Sequence, residues 1–181
     1  MTMSAKRLLI WVSTALLLGV GALYAAIVHS MLDDDPAMLL ACMEVDAPWR
    51  GWTCEQVLRR AALTPDQVAE LNRRGGALFP VMTKDARKAE DMLALFLARG
   101  VDVNAGDEEA EGLTALHAMA GEGNLQRVRL LLAYGARPGV RAAGGLTPLD
   151  FARMQLSRRP DDRGAAEVIR LLEAAERQPA Q

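Results

Sequence analysis

Two histidines, two cysteines and a few acidic pairs are the residues of this sequence with the types for chemistry, and none has the company that catalysis needs. His29 and His117 stand in unrelated parts of the chain. A serine or cysteine nucleophile requires a base held beside it, and no motif supplies one. Cys42 and Cys54 have no second ligand at zinc-like spacing, so no metal site is expected. Gly121-Glu122-Gly123 and Gly144-Gly145 read as turn and helix-end glycines, because a phosphate cradle would follow a strand. Asp161-Asp162 reads as a solvated pair on an exposed loop. With nucleophile, base and oxyanion donor unassigned, the sequence argues for a non-enzyme and implies no cofactor.

One covalent reaction remains open to the cysteines. They lie twelve positions apart, and an even count in an oxidising compartment points to a disulfide. Closing a loop of that size stabilises a fold by about 3 kcal/mol. The alternative is a pair of buried thiols.

The compartment is set by residues 8–28, which carry no charge. At about 1.5 Å per residue, a helix of this length spans the roughly 30 Å apolar layer of a bilayer. Trp11 and Tyr24 lie near its ends, where amphipathic rings favour the interface. Lys6 and Arg7 precede the run; Asp33, Asp34 and Asp35 follow it. Basic flanks stay cytoplasmic, so residues 1–7 are expected inside and the rest outside. A cleaved signal peptide is the competing reading, with Val28 and Ser30 before Met31 as a small-residue site. Both readings export the remainder. Leu39-Leu40-Ala41-Cys42 has the form of a lipoprotein processing box, but it lies beyond the aspartates rather than at the end of the apolar run. Eighteen arginines against three lysines suggest a high-GC bacterium. The expected location is therefore a single pass through the bacterial inner membrane, with the soluble part in the periplasm.

Composition bounds the rest. Of 181 residues, 51% are hydrophobic and 24% charged, which excludes a largely disordered chain. Aromatics make up 4% while alanine occurs 31 times, so helices are expected rather than a β protein. A net charge of −2 gives no basic excess for nucleic acid. Beyond Lys6 and Arg7 the charge is −4, which suits a basic protein partner.

The elements that must position any site read as successive short helices. Asp33 to Asp35 with Pro36 open one. Thr53 with Gln56, and Thr64 with Gln67, have capping-box spacing, and Gly75-Gly76 ends the second of those helices. Ala47 to Trp52 reads as a loop whose tryptophans pack. From there the chain repeats. Thr114-Ala115-Leu116-His117 is matched 33 positions later by Thr147-Pro148-Leu149-Asp150, and 35 positions earlier by Phe79-Pro80-Val81-Met82. Each is followed by a short helix and then an apolar one: Met92 to Ala98, Val128 to Tyr134, and Val168 to Ala175. An insertion around Ser157 to Gly164 displaces the last. A period near 33 with helix–turn–helix units means a stacked solenoid.

Thr114-Ala115-Leu116-His117-Ala118, Thr147-Pro148-Leu149 and Gly100-Val101-Asp102-Val103-Asn104 resemble the signature and inter-repeat turn of the ankyrin-repeat family. The resemblance implies an all-α solenoid of about three repeats over residues 75–177 and a tail at 178–181. Residues 31–74 form a helical cap, with Cys54 to Gly75 as a candidate decayed repeat. It implies structural roles for His117, which ties neighbouring turns, and for Thr114, Thr147 and Asp150 in the same motif.

The resemblance also implies a protein partner, met at finger tips and the exposed side of first helices. Matching positions give Asp107, Glu108, Glu109 and Glu111 on a lengthened acidic finger, and Arg137 and Arg141 on the next. Arg87, Glu122 and Gln155 are expected to face outward from first helices, with Arg99 and Tyr134 near the ends of second helices. Tyr134 is the most hot-spot-like of these. A membrane anchor joined to such repeats is similar in layout to bacterial immunity proteins that neutralise type VI secreted toxins, phospholipases among them. The alternative is a scaffold or accessory factor for an envelope enzyme, for example in oxidative-stress defence.

Overall fold

The computed structural model describes residues 5–31, 34–45, 47–60 and 62–177, with side chains from residue 11 onward. Asp33 and the tail at 178–181 fall outside these residues, as do the side chains of Lys6 and Arg7. The described chain divides into two units, residues 1–62 and 63–181.

The first unit begins with α1 (Ala5–Met31). Its stretch Trp11–Met31 is 21 residues long and apolar enough to cross a membrane, and as an N-terminal segment it also has the character of a signal sequence. Its apolar side chains, among them Leu16, Leu17, Leu18 and Leu23, are exposed. Two shorter helices follow, α2 (Pro36–Cys42) and α3 (Pro48–Arg60). Asp35 opens α2 by accepting the Ala37 N–H at 2.9 Å. Cys42 and Cys54 are joined by a disulfide that links α2 to α3.

Residues 48–52 are not the expected loop. They are the first turns of α3, and Trp49 and Trp52 are exposed rather than packed. Gly51 misleads because its role is close approach rather than a turn: a Cβ there would sit 2.9 Å from the Met43 carbonyl oxygen, at the end of α2. Thr53 consequently opens no helix. Inside α3 its hydroxyl donates to the Trp49 carbonyl at 2.7 Å.

The second unit starts with α4 (Pro65–Arg73), entered through the Thr64–Gln67 capping box and left through Gly75 and Gly76, both at positive φ. Residues 63–74 therefore lie with the repeats. Three helix pairs follow: α5 (Leu78–Val81) with α6 (Ala86–Ala98), α7 (Ala115–Gly121) with α8 (Leu125–Ala133), and α9 (Pro148–Arg158) with α10 (Arg163–Glu176). First helices stack on first helices, α5 on α7 and α7 on α9, and α8 packs on α10. The second helices begin earlier than the apolar pattern suggests, because polar caps start them: Asp85, Asn124 and Asp162 each accept a backbone N–H three residues on.

The core is built mostly from alanine and branched aliphatic residues, including Ala77, Val81, Leu93, Leu116, Leu131, Ala152, Val168 and Leu172, with Met119 among them. Between α6 and α7 the chain makes a minimal antiparallel pair, β1 (Gly106–Asp107) with β2 (Leu113–Thr114), a small exception to the all-helical expectation. Gly106 permits this pairing, since a Cβ would lie 2.6 Å from the Gly112 carbonyl oxygen.

Candidate partner-binding surface

Three fingers, one after α4, one between α6 and α7 and one between α8 and α9, are joined edge to edge. Arg74 bridges to Asp107, and the Glu108 N–H donates to the Arg73 carbonyl at 2.8 Å. On the other side the Ala143 N–H donates to the Glu111 carbonyl at 2.7 Å. Side chains brace the same joints. The Asn72 amide donates to Gly100 O at 3.4 Å and its oxygen accepts the Asp102 N–H at 2.9 Å. Asn104 repeats the arrangement with Gly135 O at 3.3 Å and the Arg137 N–H at 2.7 Å.

His117 fixes the base of the third finger. The Thr114 N–H donates to its Nδ1 at 3.2 Å, so Nδ1 is unprotonated. Nε2 then carries the hydrogen and donates to the Leu146 carbonyl at 3.2 Å. The ring is fully buried and meets Phe151 edge to face at 5.4 Å. Burial pushes its pKa below the ordinary histidine value, outweighing the opposing pull of the Leu146 and Val140 backbone. With both nitrogens engaged, this imidazole has a bracing geometry. Thr147 and Asp150 form a reciprocal cap: Asp150 Oδ2 accepts from the Thr147 N–H at 2.9 Å and from its hydroxyl at 2.8 Å. These bonds hold the Asp150 carboxyl below the usual range.

The acidic finger separates into two kinds of residue. Asp107 is half-buried, and its carboxylate accepts the Glu109 and Ala110 N–H groups at 2.9 and 3.0 Å. It shapes the finger instead of presenting charge. Glu108, Glu109 and Glu111 are exposed. Arg73 lies beside this charge; its pKa is raised chiefly by the Glu70 hydrogen bond and charge, with Glu108 adding to it. Arg137 is exposed on the next finger, and the exposed Arg141 donates to the Gly145 carbonyl at 2.7 Å.

Other expected surface residues sit differently. Arg87 is exposed but belongs to the start of second helix α6, because Phe79-Pro80 yields a first helix of one turn. Glu122 is exposed at the C-terminal end of α7, and Arg99 at that of α6. Tyr134 is half-buried against the core cluster, since the thin repeat leaves room for its ring beside the helix. Gln155 is also half-buried and donates to Asp162 at 3.2 Å. Asp162 in turn caps α10, which keeps its carboxyl below the usual range, so the Asp161-Asp162 pair is not simply solvated. The insertion around Ser157 to Gly164 borders an open groove of about 460 Å³ lined by Arg153, Leu156, Ser157, Pro160 and Ile169.

Sequence reading missed two structural residues. Arg127 is buried in α8 and donates to the carbonyls of Thr83 and Lys84, in the turn before α6. Its place among the polar residues that open a helix gave no sign of burial. Asn72 was hidden in a helix end, although its offset from the next glycine-ended helix resembles that of Asn104. Among the described residues no group of three or more His, Cys, Asp or Glu side chains is placed to hold a metal ion.

The braced fingers and stacked pairs find a counterpart among known families. Residues 96–152 match the family model described as "Ankyrin repeats (many copies)". The match runs from the end of α6 through the acidic finger, α7 and α8 into α9. Such repeats suggest a protein–protein interaction module, and over residues 96–152 this protein is similar to ankyrin repeats.

Proposed function

We propose that this protein is a membrane-tethered periplasmic binding module that recognises and neutralises a secreted toxin, as an immunity protein. The observation that carries the binding role is the row of fingers held in register by Asn72, Asn104 and direct backbone bonds. A surface ordered before binding loses little entropy on association. Glu108, Glu109 and Glu111 stand on it and select for a basic partner surface. The protein acts by occlusion and performs no catalysis, in keeping with an imidazole whose two nitrogens are both engaged.

Tethering follows from the reading of α1 as an uncleaved anchor with a cytoplasmic N-terminus. It confines the fingers near the inner membrane and raises their effective concentration against a toxin acting there. A phospholipase acting on that membrane is the toxin class this layout suits.

The test is co-expression with the toxin encoded by the neighbouring reading frame. Protection of the cell and co-purification of the toxin are expected. Absence of both removes the immunity reading, and a stable housekeeping partner with a stress phenotype would support an accessory factor for an envelope enzyme instead. A reporter fused after Gln181 and active only in the cytoplasm would overturn the periplasmic placement.

A further inference from the structure

We propose that the disulfide-linked pair α2–α3 lies in the interface of the bilayer that α1 crosses, with Trp49 and Trp52 seated among phospholipid headgroups. This inference rests on the reading of α1 as a membrane anchor.

Four large apolar side chains of this short segment are exposed: Met38 by 66%, Val45 by 46%, Trp49 by 61% and Trp52 by 57%. Trp49 and Trp52 are three apart on α3 and share a face. Gln56 and Arg60 continue it. The position of α3 along the anchor gives this face its partner. α3 packs on α1, and Trp52, Gln56 and Arg60 line a cleft of about 180 Å³ with Tyr24 and Val28. Val28 lies about 26 Å along the helix from Trp11 at 1.5 Å per residue. That places it at the far edge of an apolar layer roughly 30 Å thick. α3 is thus held at the depth tryptophan favours, where one end of the ring is apolar and the other is wet.

Charge and rigidity agree with lipid as the occupant. Arg50 and Arg60 are exposed on the same helix, available to headgroup phosphates, while Arg59 is paired with Glu55 at 2.9 Å. The disulfide and the close approach at Gly51 fix α3 against α2. The tryptophan face therefore exists before it meets the membrane.

The sequence holds three tryptophans, Trp11, Trp49 and Trp52, which makes the test direct. Three double Trp→Phe variants of the full chain, each keeping one tryptophan, are reconstituted into vesicles of phosphatidylcholine and phosphatidylglycerol. Emission is read with lipids brominated near the headgroup or deep in the acyl chain, and with aqueous iodide. Lipid quenching of Trp11 reports the anchor. At least a twofold loss of Trp49 and Trp52 emission is expected with shallow-brominated lipid, with weak quenching by iodide. If Trp11 is lipid-quenched while Trp49 and Trp52 respond only to iodide, the interfacial seat is overturned and the anchor stands. If none of the three is lipid-quenched, both readings fall. Because the vesicles hold no protein but this chain, quenching of Trp49 and Trp52 also excludes a different protein as the required occupant of this face.

Discussion

Asn72 and Asn104 make the same pair of hydrogen bonds one repeat apart. Each donates to the carbonyl of a glycine two residues beyond a second helix, Gly100 after α6 and Gly135 after α8. Each also accepts an N–H two residues further on, from Asp102 and Arg137 respectively. Both glycines have positive φ, so their turns expose backbone groups that an asparagine of the preceding repeat satisfies. The fingers are thereby tied to the helix ends behind them.

Asn104→Ala should cost about 0.5–1.5 kcal/mol of stability, the net worth of a typical hydrogen bond, because water reaches the groups it leaves. It should also lower affinity for the proposed partner by loosening the acidic finger. Urea unfolding followed by circular dichroism checks the first effect. An unchanged midpoint would show that the joint does not couple the repeats.

His117 makes stability depend on pH. Burial lowers its folded pKa, so near pH 6.5 and below the unfolded chain takes up the proton more readily. Its contribution is complete above about pH 6.5 and declines as pH falls toward the lowered value. His117→Gln should flatten the dependence of the urea midpoint between about pH 5 and 7, while lowering stability at pH 7 by about 1–3 kcal/mol. His29 is present in both proteins, so the difference isolates His117. Parallel pH profiles would sink the assignment.

Reversing Glu108, Glu109 and Glu111 to lysine should leave the fold intact, because all three side chains are exposed. If the proposed toxin is the partner, its affinity should fall by tenfold or more, with most of the change in association rate at low salt. Asp107→Ala is the contrasting variant: it removes the oxygen that accepts both N–H groups and shapes the finger, so it should lower thermal stability. Calorimetric titration that finds unchanged affinity for the triple reversal would rule out the acidic finger as the contact.

Reducing the Cys42–Cys54 disulfide should destabilise the α2–α3 pair by about 3 kcal/mol, the loop-closure value for a separation of 12 residues. Trp49 and Trp52 emission during unfolding, with and without reductant, measures it. Mass spectrometry showing two thiols in protein purified without reductant would contradict the pairing.

Features governed by three or four neighbouring residues were legible in the sequence. The Thr64–Gln67 cap, the stop at Gly75-Gly76 and the reciprocal Thr147–Asp150 pair all follow from local spacing. The period joining Thr114 to Thr147 announced the stack, because each repeat must bury its apolar face on the next. What depended on distant backbone was not legible. Gly51 looked like a turn because nothing in its neighbours shows that Met43 would lie against it. Nothing near Arg127 marks it as buried, because its carbonyl partners lie more than forty residues earlier. Asp107 and Gln155 looked available to a partner, but finger closure and the insertion occupy their side chains. The sequence alone determined the repeat period and the boundaries at Thr64, Gly75-Gly76 and Thr147, since those preferences are local. Tertiary structure decided which polar side chains brace the fingers and which remain on the surface, since that depends on the carbonyls and N–H groups brought together when the repeats stack.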